Sequence, residues 1–206
     1  MEMTCKAVTN KNSEISRKRA LAIINTIQKK LKEDYKFSFR LVGSATRNTI
    51  VEDKDGQYDL DYQLCLTNNS KGSLVANVIK PKFLSAFDKA KNENETIENS
   101  TTAITVKNKV HKYSIDFVII KLDDNPNSIL RKKNNPNNPT MNNYFWNQLP
   151  KINEAYSKFD DMTETQKKDV CNNYIIPRKC KEKQKPEDSR VSSMRIFVEE
   201  VNNYGG

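Results

Sequence analysis

Between residues 13 and 33 the apolar side chains of Ala20, Ile23, Ile24, Ile27 and Leu31 recur every three or four positions, with lysine and arginine on the other side. That spacing predicts an amphipathic helix. The period then shortens. From 36 to 42, Phe37, Phe39 and Leu41 alternate with Lys36, Ser38 and Arg40, as in a half-buried strand that ends at Gly43-Ser44. A short helical segment over 45–50 and an acidic loop over 52–57 lead to a second strand over 58–66. A helix is expected over 73–90, started, kinked or split by Pro81, and the polar run 91–100 reads as a loop.

Two further strands, over 101–108 and 111–120, are joined so closely at Lys109-Val110 that a hairpin is the natural reading. Residues 123–140 hold Pro126, Pro136 and Pro139 among many asparagines, which marks a long loop or linker. Beyond it, apolar positions spaced three or four apart predict helices over 142–159 (Phe145, Leu149, Ile152, Tyr156), over 163–174, and over 188–203 (Met194, Phe197, Val198, Val201). The charged stretch 179–187 reads as a solvated, mobile loop. The organisation expected is a core over 1–122, a linker over 123–140 and a helical region over 141–206.

With 206 residues, 36% of them apolar, the chain is long enough to bury a core without disulfide staples. It has no apolar run of membrane-spanning length, and its first ten residues lack the apolar core of a signal peptide, so a cytoplasmic protein with no membrane partner is expected. Cys5, Cys65, Cys171 and Cys180 show no C-x-x-C spacing and His111 is the only histidine, which argues against a closed zinc site and for reduced, structural thiols. The net charge of +9 suits a polyanionic partner such as nucleic acid or a nucleoside triphosphate; the abundance of lysine and asparagine along the whole chain fits a codon bias equally well.

Three carboxylates change this picture. Asp59 and Asp61 are two apart on an expected strand, so both project from one face and can share divalent cations. Asp116 interrupts the apolar run Ile115-Asp116-Phe117-Val118-Ile119-Ile120, where a charge needs a partner or a metal. Gly43-Ser44 offers backbone N–H groups and a hydroxyl to phosphate oxygens, and Arg47, one helical turn later, is a candidate for the same contact. Each has a plainer alternative: a solvent-facing Asp pair, an Asp116 paired with a buried base, a solvated Arg47, a surface His111, and Tyr144, Phe145 and Trp146 packing a helix on the sheet.

Taken together, Leu41-Val42-Gly43-Ser44, Tyr58-Asp59-Leu60-Asp61-Tyr62 and Ile115-Asp116-Phe117 resemble the pattern of the DNA polymerase β-like nucleotidyltransferases, with a spacer between Ser44 and Asp59 slightly long for the family. The resemblance spans roughly residues 13–122. It implies an α+β fold, a mixed or antiparallel sheet flanked by helices, followed by a C-terminal helical region. It implies two Mg2+ or Mn2+ ions held by Asp59, Asp61 and Asp116, a nucleoside triphosphate touched by Gly43, Ser44 and Arg47, and transfer of a nucleoside monophosphate to an acceptor hydroxyl with release of pyrophosphate. In the oligonucleotide-synthase, cGAS-like branch, basic and aromatic residues of the helical region hold the nucleotide, which makes Lys167, Lys168, Tyr174 and Lys179 candidates by position. The chain lacks the length of that branch's full helical domain, which implies a minimal or divergent enzyme.

The acceptor is open between RNA or tRNA, another nucleotide, a protein side chain and a small molecule, and oligomeric state is not legible. Two other readings stand beside transfer: an inactive nucleotide- or RNA-binding module, against which the retention of all three carboxylates argues, and a toxin or antiphage factor that modifies tRNA or makes a cyclic oligonucleotide.

Overall fold

The computed structural model describes residues 5–67, 70–122, 127–133, 143–149, 153–186 and 189–205. Pro126, Pro136, Pro139, Ile152, Glu187 and Asp188, on which some expectations fell, lie outside them. The chain divides into two compact units. One comprises residues 14–42 and 60–149, the other residues 1–13, 43–59 and 150–206.

The first unit is a sheet with two helices. Helix α1 (Glu14–Leu31) buries Ala20, Ile23, Ile24, Ile27 and Leu31, the stripe the spacing predicts. Strand β1 (Phe37–Val42) pairs antiparallel with β2 (Tyr58–Leu66), Val42 opposite Asp61. Helix α2 (Ala76–Ala90) carries Pro81 in its interior, with the ring turned to solvent, so the proline neither starts nor splits it. Phe83 of α2 packs on Tyr35 and Phe37, and Phe87 on Phe117, with ring centroids 4.8 Å apart in the second contact. Burying such rings against the sheet contributes a few kcal/mol of stability each.

The polar run 91–100 contains strand β3 (Glu95–Asn99), where a loop was expected. Only Ile97 marks it as a strand in the sequence. What fixes it is the backbone ladder to β4 (Ala103–Asn108) and the buried carboxylate of Glu95, gripped by Arg19 through Nε at 2.8 Å and Nη2 at 2.7 Å. The hairpin of β4 and β5 (Tyr113–Lys121) is present, with a four-residue connection (109–112) between the opposed Asn108 and Tyr113.

The expected linker contains strand β6 (Ser128–Lys133), and the first part of the expected helix 142–159 is strand β7 (Asn143–Gln148). Tyr144 is buried and the Trp146 indole donates to the Leu74 carbonyl at 2.8 Å, while Phe145 is exposed. The true period was therefore two; Phe145 and Leu149 mimicked a helical spacing. Strand order is β1-β2-β5-β4-β3, with β6 pairing the end of β5 and β7 pairing β6.

The second unit is mostly helical: α3 (Asn153–Asp161), α4 (Glu164–Asp169), a π-helical turn (Val170–Ile175), α5 (Ile176–Lys183) and α6 (Ser193–Asn203). Thr163 starts α4 with a reciprocal cap to Gln166. Ala155, Phe159, Val170, Cys171, Ile175, Ile196, Phe197 and Val201 form the core. The stretch expected as a mobile loop from residue 179 begins inside α5, with Lys179 and Glu182 buried. It is ordered because its charges have partners: Lys179 in the site below, Glu182 with Lys185 and the Val191 N–H.

The cysteines also depart from expectation. Cys5 and Cys180, 175 residues apart, are joined by a disulfide, whereas Cys65 and Cys171 are free and buried. A separation that long leaves no trace in local spacing. No described helix is long and apolar enough to cross a membrane.

Candidate active site

In the helical unit, the chain leaves Val42 through Gly43, whose φ of +70° is a backbone conformation that side chains with a Cβ rarely adopt. This lets Gly43–Arg47 form a single 3-10 turn directly after the strand. Ser44 and Thr49 close the loop that follows, the Thr49 N–H donating to the Ser44 carbonyl at 3.0 Å.

Lys179 of α5 reaches this turn. Its ammonium donates to Ser44 Oγ and to the Thr49 carbonyl, both at 2.6 Å. One helical turn on, Lys183 Nζ lies 3.3 Å from Asp59 Oδ2. The Gly-Ser turn and the first carboxylate of the Asp pair thus each meet a lysine from one helix face. The segment thought to be a solvated loop supplies both cations. Lys179 had been a candidate by position alone; Lys183 was missed, although its spacing of four from Lys179 was the available signal.

Arg47 takes a different place. Its guanidinium sits over the ring of Phe197, 4.0 Å from the centroid, and 5.5 Å from that of Tyr156, with Nε buried and making no hydrogen bond. Its ring contacts are a packing role in the helical core. Among the other positional candidates, Lys167 pairs with Glu164, and Tyr174 stacks edge-on against Tyr204.

In the sheet unit, Asp61 on β2 and Asp116 on β5 lie on neighbouring strands, and both are only partly buried. Asp59 precedes Asp61 by two on β2, so alternation puts their side chains on one side of the strand. The Thr105 hydroxyl, on β4 directly opposite Asp116, donates to Asp116 Oδ1 at 2.5 Å. That orienting residue was also missed; a threonine between Ile104 and Val106 in a buried strand was its only sign. Asp116 therefore accepts from a neutral hydroxyl on the adjacent strand. His111 is exposed and stacks on Tyr113, as a surface residue would.

Hard carboxylate oxygens on accessible strand positions are the donor set that Mg2+ and Mn2+ prefer, so Asp59, Asp61 and Asp116 fit such an ion by chemistry. Among the described residues no group of three or more His, Cys, Asp or Glu side chains is already gathered as a ligand cluster.

A sheet ordered β1-β2-β5-β4-β3, with a Gly-Ser turn after β1 and carboxylates on β2 and β5, has the fold of solved cyclic dinucleotide synthases. Solved structures give the likeness its particulars. The STING-associated CdnE c-di-GMP synthase of Capnocytophaga granulosa superposes with a TM-score of 0.61 at 18% identity, over 97% of this chain and 62% of that one. The Vibrio cholerae DncV cyclic AMP-GMP synthase in complex with nonhydrolyzable GTP gives 0.62 at 15% identity, over 100% and 56%. Escherichia coli DncV in its 3'-deoxy GTP bound form gives 0.60 at 12%, over 97% and 55%. The chain thus spans between 55% and 62% of the length of these relatives in fold. No family model matches the sequence, and no curated protein does.

Proposed function

We propose that the chain is a metal-dependent nucleotidyltransferase that moves a nucleoside monophosphate from a nucleoside triphosphate to an acceptor hydroxyl and releases pyrophosphate. The observation that carries this reading is the siting of Asp61 and Asp116 on neighbouring strands of a nucleotidyltransferase-type sheet, with Asp59 two residues before Asp61.

In this reading Asp59, Asp61 and Asp116 hold Mg2+ or Mn2+, which when bound neutralises phosphate charge and acidifies the acceptor hydroxyl. Thr105 keeps Asp116 oriented. Ser44 and the backbone of the Gly43–Arg47 turn receive the terminal phosphates. Lys179 and Lys183, now on Ser44 and Asp59, are positioned to turn to the triphosphate and balance its charge as the cation takes Asp59.

A second nucleotide is the acceptor best supported. The solved proteins sharing the fold are named as makers of cyclic dinucleotides, and one DncV structure holds the linear intermediate 5' pppA(3',5')pG. Nothing comparable speaks for RNA or tRNA.

The test is incubation of the protein with each α-labelled nucleoside triphosphate and Mg2+ or Mn2+, with no added acceptor and with total tRNA, beside Asp59→Ala and Asp61→Ala. A labelled small product formed without tRNA by the intact protein only is the expected result. Label in tRNA would replace the acceptor assignment, and nucleotide binding with no metal-dependent product would reduce the chain to a binding module.

A further inference from the structure

The disulfide stands next to the two lysines. Ile176, Lys179, Cys180 and Lys183 are spaced as one face of α5, and that face is wholly engaged within the helical unit. Lys179 holds Ser44 and Thr49, Lys183 holds Asp59, and Cys180 is bonded to Cys5 over a small apolar cluster with Ile176 and Val51. Cys5 begins a strap that lies along the same loop. Glu52 N–H donates to the Lys6 carbonyl and Val8 N–H to the Ile50 carbonyl, each at 2.9 Å, and Ala7 bridges Val51. Residues 44–52 are therefore clasped twice, by α5 through Lys179 and by the strap through its backbone. The disulfide is the covalent bond that joins the two clasps.

We infer that the Cys5–Cys180 disulfide is a redox latch, closed when oxidised to hold Lys179 and Lys183 in register with Ser44 and Asp59, and opened by a dithiol to weaken nucleoside triphosphate binding. The affinity part rests on the function proposed above; the loosening of the loop does not. Opening consumes one dithiol. Its thiolate attacks one protein sulfur, the S–S bond breaks, and the other cysteine leaves as a thiolate that takes a proton. The second thiol of the reductant then displaces the remaining cysteine, so two electrons and two protons pass to the protein and the reductant ends as a disulfide.

The latch acts through order. With the bond closed, the lysines are fixed before nucleotide arrives, and binding does not bear the cost of arranging them. With it open, hydrogen bonds, the Lys183–Asp59 ion pair and an apolar cluster are left to hold α5 to the loop without a covalent tie. Cys5 and Cys180 are 8% and 4% exposed, so a reductant reaches them only after local opening of the strap. Nucleotide, by holding the loop, protects the bond in return.

The experiment uses the full chain purified without reductant. Thiol titration in denaturant should count two free cysteines before dithiothreitol and four after it, Cys65 and Cys171 being the two. Hydrogen exchange should then show faster exchange across 44–52 and 176–183 in the reduced protein. Titration with a nonhydrolysable nucleoside triphosphate and Mn2+ should show affinity about tenfold weaker on reduction, the scale of a modest loss of preorganisation. Saturating nucleotide should slow thiol release. Cys180→Ser should behave as the reduced protein in either condition, and Cys65→Ser should respond as the parent does. Four free thiols in the untreated protein, or reduction that leaves exchange across both segments unchanged, overturns the latch. A change in exchange with no nucleotide binding in either state keeps the mechanical latch, refutes its effect on affinity and counts against the proposed function.

Discussion

Lys179 and Ser44 are 135 residues apart, yet the buried lysine ammonium lies 2.6 Å from the serine hydroxyl and also donates to the Thr49 carbonyl at 2.6 Å. A buried ammonium is costly unless its donors are satisfied. Here it stands on the turn that the proposed triphosphate would meet, where a phosphate oxygen adds a charged partner.

Lys179→Ala tests this pairing at two levels. It leaves the Thr49 carbonyl and the Ser44 hydroxyl short of a donor, so stability should fall by about 1.5–3 kcal/mol, the usual range for hydrogen bonds to a charged group. Urea unfolding reads that change directly. Nucleotide affinity should fall by tenfold or more on the same protein. Lys167→Ala, which removes an exposed pair with Glu164, should change stability by less than about 0.5 kcal/mol.

Arg19 and Glu95 set the second prediction. Burial pushes the Glu95 carboxyl up, but the Arg19 guanidinium and the Asn92 N–H more than offset it, and the group is held below the ordinary carboxylate value. A depressed carboxylate contributes stability that is present above its unfolded pKa and is lost as pH falls through the lower folded value. Arg19→Ala should cost about 3–5 kcal/mol at neutral pH, because it strands a buried charge. The variant's loss should shrink as the pH is taken below 4, since protonated Glu95 needs no cation. Denaturant unfolding at pH 7 and at pH 3.5 separates the two conditions.

Lys80 costs stability at neutral pH where Glu95 contributes it, although both depressed groups make stability rise with pH. It is fully buried on α2, donates to the Ala103 carbonyl at 3.2 Å, and burial, with Lys132 nearby, lowers its pKa to about 8. Between that value and about 10.4 the unfolded chain binds the proton more often than the folded one, so this group makes stability rise with pH across the window. Below pH 8 both states are charged and the cost of burying the ammonium is fully present. Lys80→Met should therefore be more stable than the parent at pH 7, by on the order of 1–3 kcal/mol. The difference should close between pH 8 and 10.5. The Ala103 carbonyl is not orphaned by the change, since the Ser100 N–H and hydroxyl also donate to it. A variant less stable than the parent at pH 7 would contradict the assignment.

What could be read from the sequence was whatever repeats locally. The α1 stripe, the β2 bounds and the Asp59-Asp61 spacing follow from neighbours along the chain, and the short apolar run around Asp116 placed it on a strand. What could not be read was decided by partners far away. Strand β3 is polar and becomes a strand because β4 offers a ladder and Arg19 neutralises Glu95. Strand β7 hid its period of two behind Phe145 and Leu149. Lys179 looked like one lysine in a charged run, and only the fold brings it to Ser44. Cys5 and Cys180 carry no local sign of each other.

Thr105 gives the last prediction, because it touches the candidate ligand Asp116 without being a ligand candidate itself. Its hydroxyl donates to Asp116 Oδ1 at 2.5 Å from the directly opposed position on β4. Partners of this kind fix the direction in which a carboxylate presents its oxygens, and their loss commonly costs 10–100-fold in metal affinity. Thr105→Val keeps the β-branched shape and removes only the donor, so the strand and its packing should be retained. Mn2+ binding, followed by the electron paramagnetic resonance signal of the free ion, should weaken by about tenfold or more. Thr105→Ser should restore most of it, since the hydroxyl returns. In turnover assays the loss should be recovered by raising the metal concentration, with the maximal rate little changed, as befits a positioning residue. Equal Mn2+ affinity for Thr105→Val and the parent would show that Asp116 is oriented by other contacts, and a loss that Thr105→Ser does not restore would assign the effect to packing.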